Sequence, residues 1–92
     1  MRIIIKPAFK RDRDKINNAI LLNALAAKLQ QIERADSPQN ITGLKPLVGY
    51  ITHHRIYLKT DKQSYRIGAI IRGNTIWLVR LLPRKKIYRS FP

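Results

Sequence analysis

A chain of 92 residues makes one domain, and at that length folding removes only about 60 to 65% of the surface the unfolded chain exposes, so the core is modest. With 45% hydrophobic and 26% charged residues the composition is that of a globular domain and excludes a disordered tail. Nineteen Lys and Arg against five Asp and Glu give a net charge of +14, which calls for an anionic partner, while the absence of cysteine excludes a disulfide framework, a thiol nucleophile and a zinc knuckle.

In the opening run Met1-Arg2-Ile3-Ile4-Ile5 the three isoleucines are β-branched, and the run stops at Lys6-Pro7, which predicts a short strand closed by a residue that cannot donate to a ladder. It is too short for a signal-peptide core or for a membrane span of about 20 residues, so a cytoplasmic protein without membrane contact is expected. From Phe9 to Ile16 the pattern turns helical, with these two residues on one face and Lys10, Arg11, Arg13 and Lys15 on a solvated one. Asn17-Asn18 then offers a break or a cap. Leu22, Leu25, Leu29 and Ile32 follow at helical spacing, with no Gly or Pro before Pro38. This predicts an amphipathic helix whose apolar stripe packs on the domain's own sheet, ended at Ser37-Pro38 because the residue before a proline disfavours the α region.

Residues 39–49 read as a connecting stretch. Beyond it, residues 50–59, 65–72 and 75–82 read as strands. Gly73-Asn74 is a two-residue hairpin signal, and residues 60–64 form a polar loop of a length that suits another hairpin. The expected fold is a single α+β domain over residues 1–92, with an N-terminal strand, a helical hairpin and then a three-stranded antiparallel meander. The helices pack on one face of the sheet, and the other face is left free for function.

Charge is uneven along this frame. Residues 1–44 carry 8 bases and 4 acids, whereas residues 45–92 carry 11 bases and the single acid Asp61. Strand alternation puts Arg55, Tyr57 and Lys59 on one face and Ile56 and Leu58 on the other. Arg66 lies between Tyr65 and Ile67, and the run Arg84-Lys85-Lys86-Ile87-Tyr88-Arg89 adds further cations around a tyrosine. Cations that pair with phosphates and aromatic rings that stack on bases are what single-stranded nucleic acid requires. Other readings stand beside this one: Tyr65 and Trp77 as core aromatics, and Lys85 and Lys86 as a charged, disordered end.

The few acids offer no carboxylate pair and no metal-binding cluster. No phosphate-binding glycine loop or Ser-centred elbow occurs. His53 and His54 are adjacent, so on a strand they point to opposite faces and only one can serve a given site. A metal-free ribonuclease must activate the RNA 2′-hydroxyl, stabilise a pentavalent phosphorane and protonate the leaving oxygen, and lysine and arginine can do much of this. Lys59, His54 or another residue would be the general base.

The strings Arg55-Ile56-Tyr57-Leu58-Lys59, Tyr65-Arg66-Ile67-Gly68 and Arg84-Lys85-Lys86-Ile87-Tyr88-Arg89, in that order, resemble the C-terminal half of RelE/ParE-superfamily toxins of type II toxin-antitoxin pairs. Within that superfamily the strings most resemble the RelE-type mRNA interferases. Phe9-Lys10-Arg11-Asp12, Leu44-Lys45-Pro46-Leu47 and the ending Tyr88-Arg89-Ser90-Phe91-Pro92 extend the resemblance over nearly the whole chain. It implies a RelE-like fold and an endoribonuclease that cuts mRNA in the ribosomal A site without metal or other cofactor. It also implies a cognate acidic antitoxin, and contact with DNA only through that antitoxin.

By the same resemblance Lys59, Arg66, Arg84 and Tyr88 are the catalytic set: Arg66 meets the scissile phosphate, Arg84 acts on the leaving group or phosphate, and Tyr88 stacks on or orients the RNA. Lys45, Arg55, Tyr57, Lys85, Lys86 and Arg89 are the RNA-binding set. Tyr57 stands where the family often carries a second strand cation, and Pro83 where a histidine is common. Superfamily members that poison DNA gyrase share the fold without the RNA-cleaving set, so a gyrase-directed toxin is the alternative, followed by a plain basic RNA-binding module.

Overall fold

Pro7 ends the first strand and begins the first helix, because its missing N–H is one of those a helix start leaves unpaired. In the computed structural model, which describes Met1–Pro92, the order is β1 (Arg2–Ile5), α1 (Pro7–Asp14), α2 (Ala19–Arg34), a 3-10 turn (Pro38–Asn40), β2 (Leu44–Pro46), β3 (His53–Lys59), β4 (Ser64–Arg72), β5 (Thr75–Pro83) and α3 (Arg84–Ser90). Asn18 separates the first two helices as expected, its side-chain oxygen accepting the Leu21 N–H at 2.9 Å. The β4–β5 hairpin turns on Gly73 and Asn74, and only Gly73 takes a positive φ, 57°.

The five strands form one sheet in the order β1-β5-β4-β3-β2. β3, β4 and β5 are the expected antiparallel meander. Two features of the sheet differ from the expectation. β1 joins the edge parallel to β5, with Ile3 opposite Ile76 and Ile4 opposite Trp77, so the sheet is mixed. Leu44–Pro46, expected within a connecting stretch, is a short edge strand paired to β3. Three residues that follow Gly43 and end at Pro46 are too few to show an alternation in sequence. β3 in turn starts at His53, leaving the segment before it as a loop that carries the exposed Val48, Tyr50 and Ile51.

The main core lies between the sheet and the first two helices. Phe9 of α1 and Leu21, Leu25 and Ile32 of α2 meet Ile56, Leu58, Ile67, Ile76, Leu78 and Leu81 of the sheet. Each such side chain stabilises the fold by about 1.5 to 3 kcal/mol in transfer terms. Tyr65 packs against this cluster as expected. Trp77 does not: it is half-buried and lies on the opposite, outer face, in register with Ile4 and Ile70.

The two expected helices do share one face, but the outer face is only partly free, because a third, unexpected helix lies on it. α3 covers part of it, burying Ile87 and Phe91 with Leu47 against Ile70, Val79 and Leu82. Gly68 makes this possible, because a Cβ there would lie 2.6 to 2.9 Å from the Phe91 ring. The segment holding Lys85 and Lys86 is therefore a docked helix and not a disordered end. No helix is long and apolar enough to cross a membrane.

Candidate nucleic-acid interface

β3 builds the outer-face site as its alternation predicts. Ile56 and Leu58 are buried in the core, and Arg55, Tyr57 and Lys59 point the other way. The register sets Lys45 of β2 beside Arg55, Arg66 of β4 beside Tyr57, and Ser64 beside Lys59.

Tyr57 is the hub. The Arg66 guanidinium carbon lies 3.8 Å from the centre of its ring, and the ammonium groups of Lys45 and Lys59 lie 5.6 and 5.8 Å from the same centre. Arg66 is only 5% exposed. Its Nη1 donates to Ser64 Oγ and to the Tyr65 carbonyl, both at 3.0 Å. One edge of the guanidinium is thus fixed to the protein while its plane stacks on an aromatic face, an arrangement lysine cannot reproduce. No ion pair neutralises these three cations.

A second aromatic-cation pair lies alongside. Arg55 sits 4.4 Å from the Tyr88 ring centre, its Nη2 donates to the Phe91 carbonyl at 3.3 Å, and its buried Nε has no partner. Arg55 therefore ties β3 to α3. Tyr88 itself is 57% exposed, its ring offering a surface beside that tie. Arg84, the first residue of α3, is exposed. It follows Pro83, which faces Tyr65 across the strands, and so lies at the end of the sheet that carries Lys59 and Ser64. Lys85, Lys86 and Arg89 are exposed along α3.

Of the two bases named from sequence, Lys59 and His54, the fold brings only Lys59 to this face. His54 shares the side of Ile56 and Leu58, with Nδ1 2.9 Å from the Thr52 carbonyl. His53 is on the outer side, and its ring lies 5.1 Å from Tyr50 and 5.5 Å from Phe91.

Between α2 and β3, a shallow cavity of about 330 Å³ opens beside Tyr57 and Lys59 and is walled by Ala24, Ala27, Lys28 and Gln31. Lys28 donates to Gln31 Oε1 at 3.0 Å and to the Thr42 carbonyl at 2.8 Å. Burial pulls its pKa below the usual lysine value.

Ser64, Gly68 and Phe91 were not singled out from sequence. A glycine inside a strand is the one signal that could have revealed the close approach at Gly68. Ser64 and Phe91 carry no local mark, since their roles come from register and from the path of α3.

No family model matches the chain. Over 61 residues, 66% of this chain and 69% of its relative, it is 34% identical to the protein named Toxin RelE3 from Methanocaldococcus jannaschii. Among solved structures it resembles a chain of the RelB-RelE antitoxin-toxin complex from Methanococcus jannaschii, with a TM-score of 0.72 and 23% identity over 97% of this chain and 99% of that one. The second likeness concerns the fold alone; the first establishes that this chain belongs to the RelE family of toxins.

Proposed function

We propose that this toxin is a metal-independent endoribonuclease that cuts mRNA in the ribosomal A site, and that an acidic antitoxin encoded beside it holds it inactive. The observation that carries the reading is Arg66, buried, stacked on Tyr57 and anchored through one nitrogen only, with Lys45 and Lys59 beside the same ring. Its remaining N–H groups suit the equatorial oxygens of a phosphate, where pre-oriented donors stabilise the charge of a phosphorane.

In the reaction the RNA 2′-oxygen attacks the adjacent phosphorus as its proton passes to a base, for which Lys59 is the group on this face. The bond from phosphorus to the 5′-oxygen breaks as that oxygen takes a proton, leaving a 2′,3′-cyclic phosphate and a 5′-hydroxyl. Arg84 serves the leaving group, and Tyr88 stacks on a base. Lys45, Arg55, Lys85, Lys86 and Arg89 supply the field that draws the phosphate backbone in. DNA contact belongs to the antitoxin, and the site of action is the cytoplasm.

Inducing the chain in bacteria and mapping mRNA 5′ ends by primer extension tests this. Codon-phased cuts that vanish when the antitoxin is co-expressed are expected. Growth arrest with intact mRNA would reject the nuclease and move the reading to a gyrase-directed toxin.

A further inference from the structure

α3 roofs only part of the outer sheet face. Beside it lies a second cleft of about 330 Å³, with Trp77, Ile70 and Val79 as its floor and Lys6 and Arg72 at its rim. Ile4, Trp77 and Ile70 lie side by side across β1, β5 and β4, all three half-buried. Ile70 and Val79 also touch the small core under α3. The cleft is thus the uncovered continuation of a surface that elsewhere needs a helix over it, and it is separate from the Tyr57 hub, which lies toward the β3 edge.

Two features identify what covers it. The floor is apolar and aromatic and takes one or two hydrophobic side chains. The rim is cationic, and both Lys6 and Arg72 are exposed without an acidic partner. With a net charge of +14, a second copy of this chain would bring like charge to like charge, whereas an acidic chain gains from the same field. We propose that the Trp77 cleft is a docking site for an acidic segment of the antitoxin, one hydrophobic side chain seated on Trp77 and flanking carboxylates paired with Lys6 and Arg72. The inference rests on the toxin-antitoxin reading and adds an anchor point remote from the proposed RNA site.

Trp77 is the chain's one tryptophan, so its emission reports the cleft directly. The protein is titrated with the product of the neighbouring gene, both full length. The expected result is a blue shift of Trp77 emission and protection from acrylamide quenching. Lys6→Glu with Arg72→Glu is expected to weaken binding about tenfold or more, and Lys10→Glu with Arg11→Glu, an equal charge change on α1, to leave it within about twofold.

Tight binding with unchanged emission and equal effects of the two charge pairs would overturn the docking site and leave the antitoxin reading intact. Absence of any binding would overturn both. Emission that responds instead to a short single-stranded oligoadenylate, and not to the protein, would reassign the cleft to RNA.

Discussion

Asp12 closes a gap in the sheet edge by binding Arg80 with both oxygens, Nε to Oδ2 at 2.8 Å and Nη2 to Oδ1 at 3.1 Å, while Oδ2 also accepts the Leu81 N–H at 2.9 Å. β1 pairs with β5 only from Thr75 to Leu78. Past that point β5 has no strand neighbour on this side, and the carboxylate from α1 satisfies the backbone group a longer β1 would have taken. The Asp12 side chain is 4% exposed, and its hydrogen bond and charge raise the pKa of Arg80. Asp12→Ala removes one partner of a buried pair and leaves a backbone N–H unpaired, so a loss of roughly 3 kcal/mol is expected. Urea unfolding checks it. Asp12→Asn, which keeps an acceptor, is expected to cost less.

Arg66→Ala is expected to lower mRNA cleavage by about a hundredfold or more, the usual scale for removing one oriented donor, with the far-UV circular dichroism unchanged. Arg66→Lys is expected to rescue little, because an ammonium cannot lie flat on Tyr57 and still donate to Ser64 and the phosphate. Cleavage by purified ribosomes with either variant decides the matter.

Gly68→Ala puts a methyl group into the Phe91 ring and is expected to destabilise the protein by about 1 to 3 kcal/mol. Combining it with Phe91→Ala is expected to cost less than the sum of the two single changes, since the clash goes with the ring. A double-mutant cycle in urea gives the coupling.

Single-stranded RNA binding is expected to weaken with salt, with a slope in log affinity against log salt of roughly 0.7 per phosphate neutralised. Lys45→Ala is expected to flatten the slope by about that amount if Lys45 pairs one phosphate. Titrations of a catalytically inactive variant at several salt concentrations measure it.

Lys28 gives a pH test. Its pKa in the folded chain lies below the usual 10.5 because burial disfavours the charged form. The unfolded chain therefore holds this proton to higher pH than the folded one. By linkage its contribution to stability rises as pH climbs from the folded value toward the unfolded one. Carbon-13 NMR of the Lys28 Cε is expected to show a midpoint below 10.5, and Lys28→Met to remove this part of the pH dependence.

The elements with an uninterrupted period were readable in the sequence. α2 declared itself by its leucine spacing, β3 by the alternation that sends Tyr57 and Ile56 apart, and the last hairpin by Gly73-Asn74. What escaped was set by pairing over distance. The parallel seat of β1 depends on β5, more than seventy positions on, and β2 is too short to carry a pattern. Asp12 looks like one more charge on a solvated helix until the register of β5 brings Leu81 to it. The site divides in the same way. The cations were legible as residue types on one face, and their convergence on Tyr57 was not, because the hub exists only once β3 and β4 are in register.

The attachment of α3 has a kinetic meaning. This seven-residue helix is held by Ile87 and Phe91, with Arg55 reaching its end, fewer buried apolar side chains than the first two helices together set against the sheet. Amide hydrogen exchange in α3 will therefore run through a partial opening well below the global unfolding free energy. Because Tyr88 and the Arg55 tie leave together when the helix lifts, the groups around Arg55 come apart as one unit. On heating they disperse while the central strands are still intact.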